Sequence, residues 1–242
     1  MAQKHIVKSF DEQLSSLRRT IVEMGGEAER QIGACIDCVR RRDATMAGAV
    51  VEADYRLDLL EKEIDQAAIR LLALRQPMAT DLREIVAALK IAADLERIGD
   101  YAANVAKRAI SLSQTPAVRP VSAIPRMGRL VQEILSEVLD AYTRRDVGRA
   151  MGAWSRDEEV DDLYTSLFRE TLTYMMEDPR TISPCTHLLF VAKNIERIGD
   201  HATNIAETIH FLEVGEALTA RRPKGDISSF EVVAPRQVDD EP

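Results

Sequence analysis

The 242-residue sequence is poor in the residues that interrupt helices or favour strands. It has 11 glycines, 9 prolines and only 5% aromatic residues, which disfavours a strand-rich fold. No run approaches the roughly 18 apolar residues that a membrane helix requires, so no direct membrane insertion is expected. Because Ala, Leu, Glu and Arg are abundant, the composition favours helices. We predict an all-α protein that is long enough to bury a core.

Cysteine is scarce, with three residues in the whole sequence. The spacing of Cys35 and Cys38 resembles half of a redox or zinc motif, but the pair lies in a helical pattern and no second pair follows. We interpret both as small buried apolar side chains. An odd count without a disulfide framework suits a reducing compartment, and residues 1–8 lack the apolar segment of a signal peptide. A cytoplasmic location is expected.

Positive charge is also in deficit, since 32 Lys and Arg face 40 Asp and Glu for a net charge of −8. This balance disfavours nucleic acid as a partner, because phosphate backbones bind to basic surfaces. It is compatible with cations or basic protein surfaces. The sequence contains no glycine-rich phosphate loop, nucleophile elbow or zinc-ligand spacing. We therefore expect a protein that is not an enzyme.

The sequence does contain an internal repeat, a 14-residue stretch that occurs twice, 100 residues apart. Residues 94–107 read DLERIGDYAANVAK and residues 194–207 read NIERIGDHATNIAE, with eight identical positions. A duplicated core helix needs only its apolar positions to match, yet here polar positions match too. The shared ERIGD segment is therefore the candidate site.

Apolar residues spaced three and four apart predict long amphipathic helices on both sides of this repeat. The first half predicts three, at about residues 10–41, 44–74 and 80–112. The second half repeats the plan, with a fifth helix ending near residue 176 and a sixth over about 183–212. We predict two tandem, pseudo-symmetric three-helix bundles of long antiparallel helices. The predicted units are a first bundle at 1–114, a second at 122–214 and a flexible C-terminal tail at 215–242.

Each predicted bundle carries two pairs of acids spaced four residues apart, which places both members of a pair on one helix face. One pair belongs to ERIGD and the other is a D-x-x-x-D on the preceding helix. The first acidic set is Asp54, Asp58, Glu96 and Asp100. The second acidic set is Asp157, Asp161, Glu196 and Asp200.

Four carboxylates on adjacent helices can face one another if a cation lies between them or if they share protons. Oxygen ligands favour Mg, Ca, Mn or iron, and Zn less so. Asn104 and Asn204 lie one turn beyond the acids and are weaker candidates for outer ligands. His201 is also a weaker candidate, since Tyr101 takes its place in the first copy.

Two alternatives stay open on the residues alone. Arg97 and Arg197 can pair with the acids in a purely structural helical scaffold. The acids can also hold metals that activate water in a metal-dependent hydrolase or oxidase. No other residues supply a nucleophile with a base, which favours a regulatory protein over an enzyme.

Tandem bundles with D-x-x-[LV]-D and ERIGD-x-A-x-N-[VI]-A resemble the PhoU family over about residues 10–212. The resemblance implies a cytoplasmic accessory protein of the high-affinity phosphate ABC transporter, located at the inner face of the membrane through its partners. It implies a non-enzymatic negative regulator of the phosphate-starvation response that links the transporter ATPase subunit to a membrane sensor histidine kinase. It also implies a homodimer.

The family resemblance further implies multinuclear clusters of divalent or trivalent metal ions held by the two acidic sets. Two departures between the copies bear on this expectation, because Asn194 replaces Asp94 and His201 replaces Tyr101. The two sites therefore need not share one metal or one affinity. The segment after Leu212 lies outside the shared pattern.

Overall fold

A computed structural model describes residues 2–75, 77–220 and 222, and these form only helices and their connections. The helices are α1 (Ala2–Arg41), α2 (Ala44–Ala53), α3 (Tyr55–Arg75), α4 (Ala79–Ser113), α5 (Ile124–Arg144), α6 (Val147–Ser155), α7 (Asp157–Glu177) and α8 (Ile182–Val214), with 3₁₀ turns at Arg119–Ala123 and Pro179–Thr181. The all-α prediction is confirmed. None of the described helices is both long and apolar enough to cross a membrane. Most of the predicted flexible tail lies outside the described residues.

The middle helix of each bundle differs from its prediction, because each is two helices instead of one. The first is interrupted at Asp54 and the second at Arg156. Asp54 keeps near-helical angles (φ −56°, ψ −36°), and its carbonyl accepts a hydrogen bond from Leu57 N at 2.9 Å. The interruption is therefore a single tight turn with an i to i+3 hydrogen bond. It places Asp54 beside the start of α3 and makes Asp157 the first residue of α7, where an acid is favoured by the helix dipole.

The two ERIGD helices, α4 and α8, pack against each other more extensively than any other helix pair. Helix α1 packs on α3, α4 and α5, so the two bundles share one continuous core. Cys35 and Cys38 are fully buried in that core, as the sequence predicts. Burial raises the pKa of the Cys38 thiol to about 11 and that of Cys35 higher still, which keeps both thiols protonated.

A cluster of ion pairs around the buried Glu84 side chain also joins the bundles. The Glu84 carboxylate on α4 accepts a hydrogen bond from Arg18 Nη2 at 2.7 Å and from Arg145 Nη2 at 2.8 Å. Arg18 belongs to α1, whereas Arg145 follows α5 in a left-handed conformation with φ 55°. The cluster therefore fixes the second bundle against two helices of the first, and α4 is held in place at its N-terminal end.

Candidate metal centre

The structure brings the acids of the first set together across the α3 and α4 contact. The pKa of Asp54 is raised to about 6, chiefly by burial and then by the negative charges of Asp100 and Asp58, while Lys107 opposes them. Burial and Asp100 also raise the pKa of Glu96. The acids of the two helices therefore disfavour the ionisation of one another, as like charges do.

Sequence reasoning missed one acid of this group, Glu61. It lies on α3 three residues after Asp58, and its negative charge helps to raise the pKa of Glu96. Burial raises its own pKa, followed by the charges of Asp65 and Asp58. The matching position in the second bundle is Tyr164, so Glu61 is not among the acids that occur in both copies. Its helical spacing from Asp58 was the available signal.

Gly99 permits the close approach of the two helices at the first acidic set. A Cβ atom at this position would lie 2.8 Å from Asp54 Oδ1 and would collide with the Leu57 side chain. Gly199 plays the same part in the second bundle, where a Cβ atom would lie 3.0 Å from Asp157 Oδ1. Both glycines therefore leave room for the first aspartate of each D-x-x-x-D motif.

We expect Gly99→Ala to destabilise the protein by about 1–3 kcal/mol, because the new methyl group must displace the buried Leu57 side chain. Gly48→Ala is the matched control, since Gly48 lies inside α2 with nothing within 4 Å of an added Cβ atom. There alanine should stabilise the helix by roughly 1 kcal/mol. Urea unfolding of both variants checks the prediction, and a gain in stability from Gly99→Ala would contradict the close approach.

The second acidic set is more deeply buried than the first. Asp157, Asp161 and Glu196 are all buried, and Asp157 is only 1% exposed. Burial raises the pKa of Glu196 to about 7, with Asp200 adding to the effect and Lys193 opposing it. Burial also raises the pKa of Asp157 to about 6 against the lowering effect of Arg222. These are carboxylates in a setting that disfavours their negative charge.

Two cations approach the second acidic set, and neither was identified from the sequence. Lys193 Nζ donates to Glu196 Oε1 at 2.8 Å. Arg222 donates to Asp157 Oδ2 from Nη2 at 2.6 Å and from Nε at 2.9 Å, and its Nη2 also donates to Asp200 Oδ1 at 2.5 Å. The guanidinium therefore bridges one acid from each of the two pairs.

Two carboxylate oxygens of this set remain buried without a hydrogen-bond partner in the described part of the chain, Asp157 Oδ1 and Glu196 Oε2. Unpartnered carboxylate oxygens match the donors that hard cations prefer. As their side chains stand, no group of three or more His, Cys, Asp or Glu in the described residues could hold a metal ion. The oxygen donors have the chemistry that a hard cation prefers, but binding would require their side chains to rotate toward a common point.

The ERIGD arginines differ between the copies. Arg97 Nη1 donates to Asp100 Oδ2 at 2.8 Å, and Arg97 Nε lies 3.4 Å from Glu96 Oε2. Because Arg97 is largely exposed, these ion pairs contribute little stability. Arg197 instead lies over the Tyr101 ring, with its guanidinium carbon 5.6 Å from the ring centre. The first bundle thus contains part of the structural ion network that the sequence left open.

Two of the weaker candidates, His201 and Asn204, reach into the other bundle. His201 Nδ1 lies 2.8 Å from Asp94 Oδ1, and Asn204 Nδ2 donates to the same oxygen at 3.2 Å. The His201 ring also contacts Tyr101, with ring centres 5.5 Å apart. These contacts link α4 to α8. Asn104 accepts a long hydrogen bond from Lys107 at 3.5 Å, and the metal role of all three stays a prediction.

Comparison with known proteins agrees with this architecture. Residues 21–109 and 124–209 each match the PhoU domain family. A Caulobacter vibrioides protein named phosphate-specific transport system accessory protein PhoU homolog is 59% identical over 227 residues, which cover 93% of this chain and 99% of that protein.

Two solved structures share the fold. The crystal structure of PhoU from Pseudomonas aeruginosa has a TM-score of 0.83 at 39% identity, and the match covers 86% of this chain and 100% of that chain. The phosphate transport system regulatory protein PhoU from Streptococcus pneumoniae has a TM-score of 0.82 at 27% identity, covering 87% and 100%. Both matched family segments contain an ERIGD motif and its companion acids, and the chain belongs to the PhoU family.

Proposed function

We propose that this protein is a non-enzymatic regulatory adaptor of phosphate homeostasis. It modulates the high-affinity phosphate ABC transporter and negatively regulates phosphate-starvation signalling. The names of its relatives support the link to phosphate transport, since the Caulobacter protein is called an accessory protein and the Streptococcus protein a regulatory protein of that system. The similarity spans nearly all of the Caulobacter protein, so no large segment of that relative is left without a counterpart.

The proposed partners are the transporter ATPase subunit and a membrane sensor histidine kinase, which the protein meets in the cytoplasm at the inner face of the membrane as a homodimer. The charge pattern supports protein partners over nucleic acid, because the net charge is −8. Pull-down of the tagged full chain from its own cells should recover both partners. Failure to recover either one at high and at low phosphate would contradict this part of the proposal.

The metal part of the proposal is supported by one observation, the duplication of two acid pairs in each bundle. Each set would hold iron, Mn, Mg, Ca or Zn ions through its four carboxylates, as one ion or a cluster. A bound cation of this class neutralises the carboxylates and offers open positions to water or an oxyanion such as phosphate. Gly99 and Gly199 keep the space beside the aspartates, and burial of the second set excludes bulk water.

We expect the double variant Asp100→Asn, Asp200→Asn to lose most of its bound metal, since each set loses one anionic ligand on its ERIGD helix. Elemental analysis of protein purified without chelator measures metal per chain. Asp37→Asn is the control, because Asp37 lies on α1 among surface arginines. Equal metal content in the double variant and the wild type would contradict binding at these acids.

Two further measurements on the wild-type protein distinguish the proposal from its two alternatives. A metal-dependent hydrolase or oxidase should turn over phosphate esters with Mn, Mg or iron, and we expect that screen to be blank. A purely structural scaffold should keep the same unfolding temperature when a chelator is added. We instead expect metal to raise that temperature, because a ligand that binds only the folded state stabilises it.

A further inference from the structure

The second acidic set receives a cation from the segment that follows the last helix. Arg222 is only 13% exposed, and Asp157, its main partner, is 1% exposed. Besides its hydrogen bonds to the two carboxylates, Arg222 Nη1 lies 3.4 Å from the backbone carbonyl of Asp200. A guanidinium suits this position because its planar fork donates several hydrogen bonds at once.

The chain has both the geometry and the length to deliver this side chain. Helix α8 ends at Val214, and Gly215 takes a left-handed conformation with φ 89° whose N–H donates to Phe211 O at 2.9 Å. Such a glycine cap redirects the chain at a helix end. From Gly215 back to Asp200 is about 22 Å along the helix. Seven residues span about 23 Å when extended, so Arg222 reaches Asp200.

The arginine that pairs with the first acidic set has a different position. The arginine bonded to Asp100 is Arg97, which belongs to the same helix and is largely exposed. Arg222 instead lies between the two helices that carry the second acidic set. It donates hydrogen bonds to Asp157 Oδ2 and to Asp200 Oδ1. Those are oxygens that a cation bridging α7 and α8 would use.

We propose that Arg222 is a built-in counter-ion of the second acidic set, and that a metal ion enters this set only by displacing it. The inference rests on the proposed metal function and adds a competition between Arg222 and metal at the second set. The physical basis is that buried carboxylates need a neutralising partner. One guanidinium and one metal ion cannot both occupy the bridging position.

The test of occupancy needs no metal. Labelling of metal-free full-length protein with phenylglyoxal, followed by mass spectrometry, measures how accessible each arginine is. Arg222 should react at least about fivefold more slowly than Arg180, which is 91% exposed, as expected for a site that is open a minority of the time. The double variant Asp157→Asn, Asp200→Asn should remove most of that difference. Equal rates for Arg222 and Arg180 in the wild type would overturn the counter-ion assignment.

The test of competition is Mn²⁺ titration followed by the electron paramagnetic resonance of free Mn²⁺. Asp100→Asn weakens the first set in all proteins compared, so the second set dominates the signal. Adding Arg222→Ala should tighten Mn²⁺ binding about tenfold, the gain expected when a competitor that closes a site nine-tenths of the time is removed. Arg222→Lys should fall between the two, and Arg180→Ala should change nothing.

The outcomes separate the two ideas. Measurable binding with an affinity unchanged by Arg222→Ala would overturn the competition and leave the metal function standing. No Mn²⁺ binding in any variant, the wild type included, would overturn the metal function and the competition together. In wild-type protein, saturation with Mn²⁺ should also raise the labelling rate of Arg222 toward that of Arg180. An unchanged rate at saturation would show that metal and arginine do not exclude each other.

Discussion

Replacing Glu196 with glutamine is expected to stabilise the metal-free protein at pH 8 by about 3 kcal/mol. The Glu196 side chain is buried, and burial raises its pKa from 4.5 to about 7. Each pKa unit corresponds to about 1.4 kcal/mol of preference for the protonated form in the folded state. At pH 8 the carboxyl group is ionised in both states, so the wild type bears the full cost of a buried charge that the neutral amide avoids.

The sign of the pH dependence follows from the same shift. Because the pKa is higher in the folded state than in the unfolded state, the folded chain binds more protons between about pH 4.5 and 7. The free energy of unfolding should therefore be greatest at the acidic side of this window and fall as the pH rises through it. Asp157 acts in the same direction, since its pKa is raised to about 6. Glu196→Gln should flatten the decline.

Urea unfolding in the presence of a chelator, at pH 5 and at pH 8, measures both effects. Glu159→Gln on α7 is the matched control, because its carboxylate is exposed and such substitutions usually change stability by about 0.5 kcal/mol or less. At pH 5 the wild type and Glu196→Gln should be much closer in stability than at pH 8. A variant that is less stable than the wild type at pH 8 would show that Lys193 outweighs the burial of the charge.

The raised pKa values also explain how the metal-free protein tolerates its own acids. Asp54, Asp157 and Glu196 each have a folded-state pKa of about 6 or 7. Protons therefore neutralise part of the charge at mildly acidic pH, and Lys193 and Arg222 neutralise part of it in the second bundle. The proposed binding of metal would release these protons. Metal affinity should accordingly rise with pH across the range in which unfolding stability falls.

The positions of the acids could be predicted because they depend on local geometry. Residues four apart lie on one face of a helix, and a constant register between the copies placed two such faces in each bundle. The interruption at Asp54 could not be predicted in this way. Leu57 and Leu60 stay buried beyond it, so the apolar pattern of the sequence continues through the interruption.

The cations of the second set could not be predicted, because their partners come from irregular or unmatched positions. Arg222 follows the last helix, where periodicity gives no information about contacts. Lys193 corresponds to Ala93 in the first copy, so the duplication gives no reason to single it out. The pairing of His201 with Asp94 joins residues 107 positions apart, and such contacts between bundles cannot be read from the pattern of either bundle alone.

Ile98→Ala is expected to cost about 2–5 kcal/mol of unfolding free energy, the range for removing a large buried aliphatic side chain. Ile98 is 0% exposed on α4, the helix that packs on both α1 and α8. Ile69→Ala is the matched control, because Ile69 lies inside α3 and is 63% exposed. That variant should change stability by about 0.5 kcal/mol or less. Similar losses from the two variants would contradict the central position of α4.

The same variant separates the two uses of the ERIGD motif. Its isoleucine is buried in the core, whereas its acids are the proposed metal ligands, so one turn of helix would carry packing on one side and ligands on the other. Ile98→Ala should lower stability while leaving the metal content per folded chain unchanged, since no ligand is removed. Asp100→Asn should instead lower the metal content and leave the stability of the metal-free protein nearly unchanged, because it removes a proposed ligand without opening a cavity. The contrary outcome is that Ile98→Ala also abolishes metal binding below its unfolding temperature. The geometry of the acids would then depend on core packing at Ile98, and the two sides of the helix would not act independently.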